Sequence, residues 1–227
     1  MKNFSHPWNV STREAIEIQR RLARQVVKKS TLKKVSFVAG IDSGYGEGCT
    51  RAAVVVLNYP ELKLVHSVTA TLPTNYPYVP GLLTFREGPA IIEAWGKLKI
   101  RPDLLIFDGH GLAHPRHCGI ACHIGILLDI PSIGCAKTRL CGTYDAPDTE
   151  RGKFTFLAYH GEVIGAVLRT RSNVKPVFVS IGHKIDLEDS MSFVLKCCQG
   201  FRLPQTTRYA DRQARHREVK DTPAKYP

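Results

Sequence analysis

The strongest constraint in the sequence is an apolar segment that ends on an aspartate, within residues 104–115 (LLIFDGHGLAHP). Its four leading apolar residues stand between proline and glycine, a pattern typical of a strand buried on both faces of a sheet, although a buried helix has similar periodicity. Asp108 would then lie at the carboxyl end of the strand, the edge where ligands bind in open α/β sheets. A second apolar segment, 36–41, also ends on an aspartate, Asp42. Two carboxylates at the ends of neighbouring strands predict a site for a divalent metal ion.

The charge of the chain is strongly positive and unevenly distributed. Its 227 residues carry a formal net charge of +12, from 32 Lys and Arg against 20 Asp and Glu. Residues 1–34 hold nine basic and two acidic side chains, and residues 201–227 hold seven and three. Such basic flanks favour a polyanionic partner such as nucleic acid, whose phosphates release counterions on binding. A pair of solvated basic helices would produce the same composition.

Length and composition limit the class of protein. A chain of 227 residues predicts one domain with a sizeable core. The sequence has no signal-peptide pattern and no apolar run near the roughly 18 residues of a membrane span. The seven cysteines are irregularly spaced and do not suggest a disulfide framework. We therefore predict a cytoplasmic protein with reduced thiols and no membrane contact. The histidines and cysteines at 114–123 lack zinc-ligand spacing, and the two cysteines among them are typical of core positions.

The first half of the chain predicts one helix followed by an antiparallel meander. Ser11 and Glu14 form a capping-box pattern, and the helix that they begin should end near Lys29. Short turns make the next three strands antiparallel neighbours, with a glycine-rich loop at 43–46 after the first of them. The expected ranges of these strands are 36–42, 51–59 and 62–72.

A proline-rich segment, 73–81, separates the meander from the next helix. Prolines stiffen this loop, so Tyr76 and Tyr78 should point in defined directions. Tyr78 stands between prolines and suits either surface packing or a wedge pushed between nucleic-acid bases. Because proline is favoured at the first helical position, we predict a helix from Pro89 to Leu98, with Glu87 just before it. Glu87 is then either a helix-terminus or ion-pair charge or a third carboxylate that faces the strand ends.

The second half of the chain predicts a parallel part of the sheet. A strand at 104–107, a helix at 119–128 and a strand at 131–136 form a βαβ unit. Three more short strands and a last helix are expected at 154–159, 162–169, 176–180 and 186–198. Residues 1–211 would form a single domain, and the basic segment 212–227, which lacks an apolar face, would be a disordered tail.

This order of elements resembles the ribonuclease H-like fold, an α/β fold with a mixed sheet (antiparallel meander plus parallel strands) flanked by helices. Proteins with that fold cut or transfer phosphodiesters with two divalent ions about 4 Å apart, which a cluster of carboxylates holds together. Six stretches carry a more specific resemblance: the Asp42 strand, PYVPGLLTFREGPA (77–90), PDLLIFDGHGLAHPR (102–116), PSIGCAKTRLCG (131–142), SIGH (180–183) and RLPQTTRYAD (202–211). With these motifs in this order, the sequence resembles the endonuclease V family over roughly residues 12–211.

The resemblance implies a role for each matching residue. It implies that Asp42, Glu87, Asp108 and Asp211 bind the metal, with Mg²⁺ as the expected ion and Mn²⁺ as a substitute. The implied catalytic residues are the first three of these and Lys137, which would either offset charge at the reacting phosphate or only position it. The implied substrate-binding residues are Pro77, Tyr78, Pro80, Gly109, Gly111 and His114.

Two further positions follow from the same motifs. The resemblance implies that Tyr78 is the wedge and that the loop from Gly109 to His114 helps to form the pocket for a displaced base. His114 would be either a pocket wall or a partner of a metal ligand. Ile181 departs from the proline found in many bacterial relatives, and His183 near it is expected to be a buried histidine in a turn.

The implied activity is metal-dependent hydrolysis of DNA at the second phosphodiester bond 3′ to deoxyinosine, the product of adenine deamination. Cleavage would leave 3′-hydroxyl and 5′-phosphate ends. The protein would act in DNA repair as a monomer, with deoxyinosine-containing DNA as its partner.

Three alternatives accompany this prediction. Cleavage of inosine-containing RNA is a possible alternative activity, because no sequence motif indicates whether the protein contacts a 2′-hydroxyl. A non-catalytic binder of damaged nucleic acid is disfavoured by four clustered carboxylates, which repel one another when no metal is bound. A structure-directed nuclease of the resolvase kind would cut branched substrates whether or not they contain inosine.

Overall fold

The computed structural model describes residues 6–215, and within them five helices flank one eight-stranded sheet. The helices are α1 (Thr12–Ala23), α2 (Leu83–Gly96), α3 (Ile120–Leu128), α4 (Leu187–Cys197) and α5 (Gln205–Arg215). The strands are β1 (Phe37–Gly46), β2 (Cys49–Asn58), β3 (Leu64–Pro73), β4 (Leu104–Phe107), β5 (Ser132–Ala136), β6 (Phe154–Tyr159), β7 (Glu162–Leu168) and β8 (Val177–His183). No helix of this described part is long and apolar enough to cross a membrane.

The sheet has the strand order β3-β2-β1-β4-β5-β8-β7-β6. β1, β4 and β5 are parallel to one another, and the other neighbouring pairs are antiparallel. The predicted meander is β1 to β3, and the predicted βαβ unit is β4, α3 and β5. This is the ribonuclease H-like mixed sheet that the sequence predicts. Its parallel part is smaller than expected, because β8 runs antiparallel to β5.

Helices cover both faces of the central strands. On one face, Ile91 of α2 belongs to a buried apolar cluster with Ile41 of β1. On the other face, Ala210 of α5 belongs to a second cluster with Val38 of β1 and Leu104 of β4. Burial of apolar surface stabilises such layers by roughly 25 cal/mol per Å². The strands that precede the two aspartates are therefore held from both sides.

β1 is longer than predicted, because the expected glycine-rich loop is part of the strand. β1 pairs with β2 along its whole length and turns back through Glu47 and Gly48, whose φ angles are 52° and 74°. Positive φ at both turn positions matches the twist of a two-residue hairpin and suits Gly48. Gly44 lies against α5, where a Cβ atom would be 3.0 Å from the carbonyl oxygen of Ala214. Asp42 is therefore an interior residue of a paired strand.

The predicted capping box at the start of α1 is present. Ser11 Oγ accepts from the Glu14 amide, and the Glu14 carboxylate accepts from the Ser11 amide at 2.9 Å. The helix ends at Ala23, so the prediction of an end near Lys29 is wrong. Beyond that end the backbone is no longer helical, and the amide of β-branched Val27 donates to a histidine of β8 at 3.3 Å.

α2 begins at Leu83, six residues before its predicted start, so Pro89 lies inside the helix. Proline lacks an amide hydrogen and removes one helical hydrogen bond, which is why it suggested a boundary. Buried side chains on both sides of it, such as Phe85 in the first turn, keep the helix packed through this defect. As a result, Glu87 lies on the buried face of a helix and does not precede the helix.

No sequence pattern predicts α5, which packs across β1. A Cβ atom on Gly40 would lie 2.1 Å from the carbonyl oxygen of Thr206, so glycine at this position permits the close approach. The helix includes buried Ala214 and continues to Arg215. It therefore passes the domain boundary expected at residue 211, and the rest of the expected tail, 216–227, lies outside the described residues.

Candidate active site

Three aspartates from separate elements come together at one edge of the sheet. One carboxylate oxygen from each of Asp42, Asp108 and Asp211 lies within 4.8 Å of the other two. The parallel register pairs Ile41 with Phe107, which places the two following aspartates side by side. The Asp108 amide donates to the carbonyl of Ile41 at 3.1 Å, and this bond extends the pairing by one residue. α5 brings the third aspartate to the same place.

The electrostatics of this aspartate cluster favour a cation. Burial raises the pKa of Asp42 to about 7, and the negative charge of Asp108 adds to the effect. The amide of Ser43 donates to Asp42 Oδ1 at 2.9 Å, which only partly offsets both effects. A divalent ion would remove the repulsion between these oxygens, and oxygen ligands are the ones that Mg²⁺ prefers. The residues present therefore fit a divalent metal ion.

Lys137 lies at the end of β5 and faces the cluster. Its ammonium group forms an ion pair with Asp108 Oδ2 and lies 4.0 Å from Asp211 Oδ1. Partial burial lowers the pKa of Lys137, but the hydrogen bond and charge of Asp108 outweigh this and raise it overall. The lysine thus supplies positive charge beside the carboxylates. Arg215 supplies a second positive charge, with Nη2 2.8 Å from Asp211 Oδ1.

Glu87 lies beside the aspartate cluster but is not part of it. Its carboxylate is 8% exposed and accepts a hydrogen bond from the Tyr45 hydroxyl at 2.5 Å. Burial raises the pKa of Glu87 to about 8 in spite of this bond, and the charges of Asp42 and Asp108 contribute in the same direction. Of the four acids expected at the metal, the structure therefore gathers three and places the fourth next to them on α2.

A cavity of about 220 Å³ opens beside the strand end that carries Asp108. Four of the expected substrate-binding residues line it: Tyr78, Pro80, Gly109 and His114. Tyr78 is 72% exposed, whereas Tyr76 of the same loop is buried against Phe85. Pro77 is an exposed residue of the proline-rich loop outside the cavity lining. The loop therefore turns one tyrosine into the core and presents the other to solvent at the cavity.

Gly111 does not line the cavity and instead packs the 109–114 loop onto β8. Its amide donates to Ser180 Oγ at 2.9 Å, and a Cβ atom would lie 2.0 Å from the carbonyl oxygen of Ile181. That same carbonyl accepts from the amide of Leu112 at 2.7 Å. Glycine is therefore required for close packing at this position, and Ile181 contributes to the contact through its backbone.

His114 connects two walls of the cavity. Its Nε2 atom lies 2.9 Å from the carbonyl oxygen of Gly81, and its Nδ1 atom accepts from the Arg116 amide at 3.1 Å. Burial, with the charge of Arg116 as a second cause, lowers the pKa of His114 to about 4. Neutral His114 therefore donates from Nε2. His183 is buried elsewhere, 3.6 Å from Asp129, and does not join the aspartate cluster.

Several residues at the site have no signal in the sequence. The sequence predicts a loop at Tyr45, whereas the structure places this residue in β1, where its hydroxyl donates to Glu87. Gln19 and Arg116 form a hydrogen bond of 2.6 Å, and both donate to the Gly81 carbonyl. His110, by contrast, belongs to the 109–114 loop that is expected at the pocket; it lines the cavity, and burial lowers its pKa to about 4. Only the three-dimensional structure brings these side chains, which are distant in sequence, to one place.

The comparison with known protein families decides the assignment. The Endonuclease V family model matches residues 20–212, which is most of the chain. The chain belongs to the endonuclease V family. A family member from Roseiflexus sp. (strain RS-1) is 49% identical over 218 residues, which cover 96% of this chain and 98% of that relative. The chain is therefore an endonuclease, a hydrolase that acts on DNA.

Solved structures of endonuclease V proteins share the fold. The crystal structure of the protein from Streptomyces avermitilis has a TM-score of 0.87 and 38% identity, covering 92% of this chain and 93% of that one. The protein from Ciona intestinalis was crystallised with a 24mer DNA containing an inosine followed by a ribo-adenosine. Its TM-score is 0.77 at 27% identity, covering 89% of this chain and 95% of that one.

Proposed function

We propose that this protein is a Mg²⁺-dependent repair endonuclease that hydrolyses the second phosphodiester bond 3′ to deoxyinosine in DNA. The products would be a 3′-hydroxyl end and a 5′-phosphate end. The observation that carries this proposal is the position of the cavity, which shares the strand end at Asp108 and Gly109 with the aspartate cluster. The inosine-containing DNA bound by the Ciona intestinalis relative supports it.

Asp42, Asp108 and Asp211 would hold Mg²⁺, and Glu87 would support them from α2. Bound there, divalent ions would activate a water molecule and stabilise the charge of the leaving oxygen, and Mn²⁺ would be a competent substitute. The excess of negative charge in the aspartate cluster supports this ligand set. Tyr45 would keep the Glu87 carboxyl oriented through its hydrogen bond.

Lys137 would orient the reacting phosphate. Its ammonium group is already at the cluster, in contact with Asp108 and 4.0 Å from Asp211. A positive charge at this position offsets negative charge that develops on phosphate oxygens. Lys137 is less than half exposed, so its charge would be screened less than that of a surface lysine.

The cavity would hold the inosine base after it leaves the stack. A cavity of about 220 Å³ has room for a purine, and the polar backbone at Gly109 lies in its wall. Hypoxanthine presents a carbonyl and a ring N–H where adenine presents an amine and a bare nitrogen, so backbone groups can distinguish the two. Exposed Tyr78 at the cavity would fill the gap that the base leaves.

The proposal is tested with a labelled strand that carries one inosine, supplied as DNA and as RNA of the same sequence, with adenosine-containing strands as controls. With Mg²⁺ we expect cleavage of the DNA two bonds 3′ to the inosine, and loss of cleavage in the Asp108→Asn variant and in chelator. Preferential cutting of RNA would indicate that the protein acts in RNA turnover and not in DNA repair. Binding without cutting by the intact protein would leave a non-catalytic binder, and equal cutting of adenosine strands would contradict inosine recognition.

We further propose that the protein acts as a monomer. The aspartates, Lys137 and the residues that line the cavity all come from one chain. Light scattering of the free protein and of its DNA complex would test this, and a complex with two protein chains per inosine would contradict it.

A further inference from the structure

A second cleft, separate from the base-sized cavity, also adjoins the aspartate cluster. Its volume is about 520 Å³, and it lies between the β1–β2 hairpin and the last turn of α5. The side chains that give the cleft its chemistry are Tyr45, Glu47, Cys49, Arg51 and Arg215. None of the residues that line this cleft also lines the cavity at Gly109.

The elements that carry two of the aspartates lead directly into this cleft. Gly44, in the cleft wall, is two residues beyond Asp42 along β1, a distance of about 7 Å. Arg215 is one helical turn beyond Asp211, about 6 Å along α5. The cleft therefore adjoins the aspartate cluster through β1 and α5, whereas the cavity adjoins it through the strand end at Asp108 and Gly109. A strand that places a base in the cavity and crosses the aspartates can continue into this cleft.

The charge of the cleft suits a phosphate backbone. Nε of Arg51 donates to the carbonyl of Gln213 at 3.1 Å, which anchors its guanidinium group in the cleft wall. The Arg215 side chain is 71% exposed and pairs with Asp211. Glu47 contributes one negative charge against these two positive charges. Guanidinium groups match the geometry of phosphate oxygens and can contact two of them at once.

The ion pair between Arg215 and Asp211 connects the cleft to the aspartate cluster. Nη2 of Arg215 lies 2.8 Å from Asp211 Oδ1, the same side chain that approaches Lys137. When Asp211 binds a cation, its carboxylate can no longer satisfy the guanidinium group to the same extent. Arg215 is then available to a phosphate in the cleft.

We propose that this cleft binds the backbone of the strand on the 3′ side of the cut, with Arg51 and Arg215 as its phosphate contacts. This is the part of the substrate that leaves with the new 5′-phosphate. The inference rests on the proposed function, because it takes the cavity at Gly109 as the position of inosine. The role assigned to the two arginines is positioning of the substrate, distinct from the chemistry at the aspartates.

Cys49 reports directly on occupation of the cleft. All seven cysteines lie in the described part of the chain, and only Cys49 and Cys141 are partly exposed. In a Cys141→Ser background, alkylation by iodoacetamide would therefore occur mainly at Cys49. Mass spectrometry would compare alkylation rates in the Asp108→Asn variant, which is expected not to cut, with two inosine strands bound to saturation. One strand would end at the second nucleotide after inosine and the other would continue for six.

We expect the longer strand to slow Cys49 alkylation at least fivefold and the shorter strand to leave it nearly unchanged. Equal rates with both bound strands would overturn the inference, even if the intact protein cuts at inosine. Absence of binding to either inosine strand, measured by fluorescence anisotropy in the same samples, would instead refute the proposed function and the inference together.

A second measurement distinguishes a specific contribution of Arg215 to binding from a general effect of positive charge. Anisotropy would give the affinity for strands with two, three, four and six nucleotides after inosine. With the intact cleft, we expect the affinity to rise about tenfold from the shortest to the longest strand. In Arg215→Gln, most of this rise should be lost, and the affinity should depend less on salt concentration. Arg212→Gln is the matched control, because Arg212 lies on the same helix but lines a different surface cleft beside Phe201. Equal losses in both variants would contradict a specific role for the cleft.

Discussion

The hydroxyl of Tyr45 donates a hydrogen bond of 2.5 Å to Oε1 of Glu87 and so joins the strand that carries Asp42 to helix α2. Glu87 is buried, and its orientation therefore depends on a tyrosine that is distant in sequence. The bond is also the second-largest influence on the pKa of Glu87, which it lowers against the effect of burial.

Removing this hydroxyl should weaken both the fold and the reaction. In Tyr45→Phe we expect a loss of about 1 kcal/mol in the free energy of unfolding and about a tenfold lower cleavage rate. Denaturant unfolding and single-turnover cleavage measure the two effects. A double-mutant cycle with Glu87→Ala should show coupling, because each change removes the same bond. Additive effects on the rate would show that Tyr45 does not act through Glu87.

The aspartate cluster should destabilise the metal-free protein at high pH. The pKa of Asp42 in the fold is about 7, above the 3.8 of an ordinary aspartate. Its protonated form therefore stabilises the fold fully below pH 3.8, and this contribution is lost as the pH rises through 7. In chelator at pH 8, Asp42→Asn should be more stable than the wild type by about 4 kcal/mol, and at pH 4 by almost nothing.

Thermal unfolding across this pH range measures the difference. Mg²⁺ should raise the melting temperature of the wild type at pH 8 and leave Asp42→Asn nearly unchanged, since the variant lacks one proposed ligand. A variant that is equally stabilised by Mg²⁺ would show that the ion binds elsewhere.

The two tyrosines of the proline-rich loop should respond in opposite ways to truncation. Tyr78→Ala should leave the free energy of unfolding within about 0.5 kcal/mol of the wild type, because its ring is exposed. Tyr76→Ala should lower the free energy of unfolding by about 3 kcal/mol, because the Tyr76 ring packs against Phe85. Tyr78→Ala should also reduce cleavage of duplex DNA more than that of single strands, where no base pair has to be opened. An equal reduction for both substrates would argue against a wedge.

Ser180 should determine how firmly the 109–114 loop is held. Ser180→Ala leaves the buried Gly111 amide without its partner, which we expect to lower the free energy of unfolding by about 1–3 kcal/mol. Hydrogen exchange at that amide should become faster than at the neighbouring Leu112, which keeps its bond to Ile181. Unchanged exchange at Gly111 would mean that water or another group replaces the hydroxyl.

The sequence predicts the two aspartates that follow apolar strands. Apolar runs before Asp42 and Asp108 identify buried strands, and a βαβ unit places such strands parallel, so their ends meet. The fold class and the family follow from this order and from the motifs around it. The parallel register of β1 and β4 confirms that the two residues are neighbours.

The sequence does not predict the helix that supplies Asp211. The buried residues of α5 are Thr206, Thr207, Ala210 and Ala214, which are small or polar and leave no apolar stripe. The helix instead packs by close approach to Gly40 of β1, a contact between residues far apart in the chain. At the end of β1 and inside α2, tertiary packing also overrides the local backbone preferences of glycine and proline, so both elements extend beyond their predicted bounds.

α5 lies across the strand that carries Asp42, although 169 residues separate Asp42 from Asp211. A ribosome makes the chain from its amino terminus, so the two strand aspartates emerge long before the third. Until α5 is released and settles over Gly40, the aspartate cluster lacks one of its three members. The cluster is thus completed only by the last helix in the described part of the chain, so a chain cut short before α5 would keep the two strand aspartates and could not form the three-membered site.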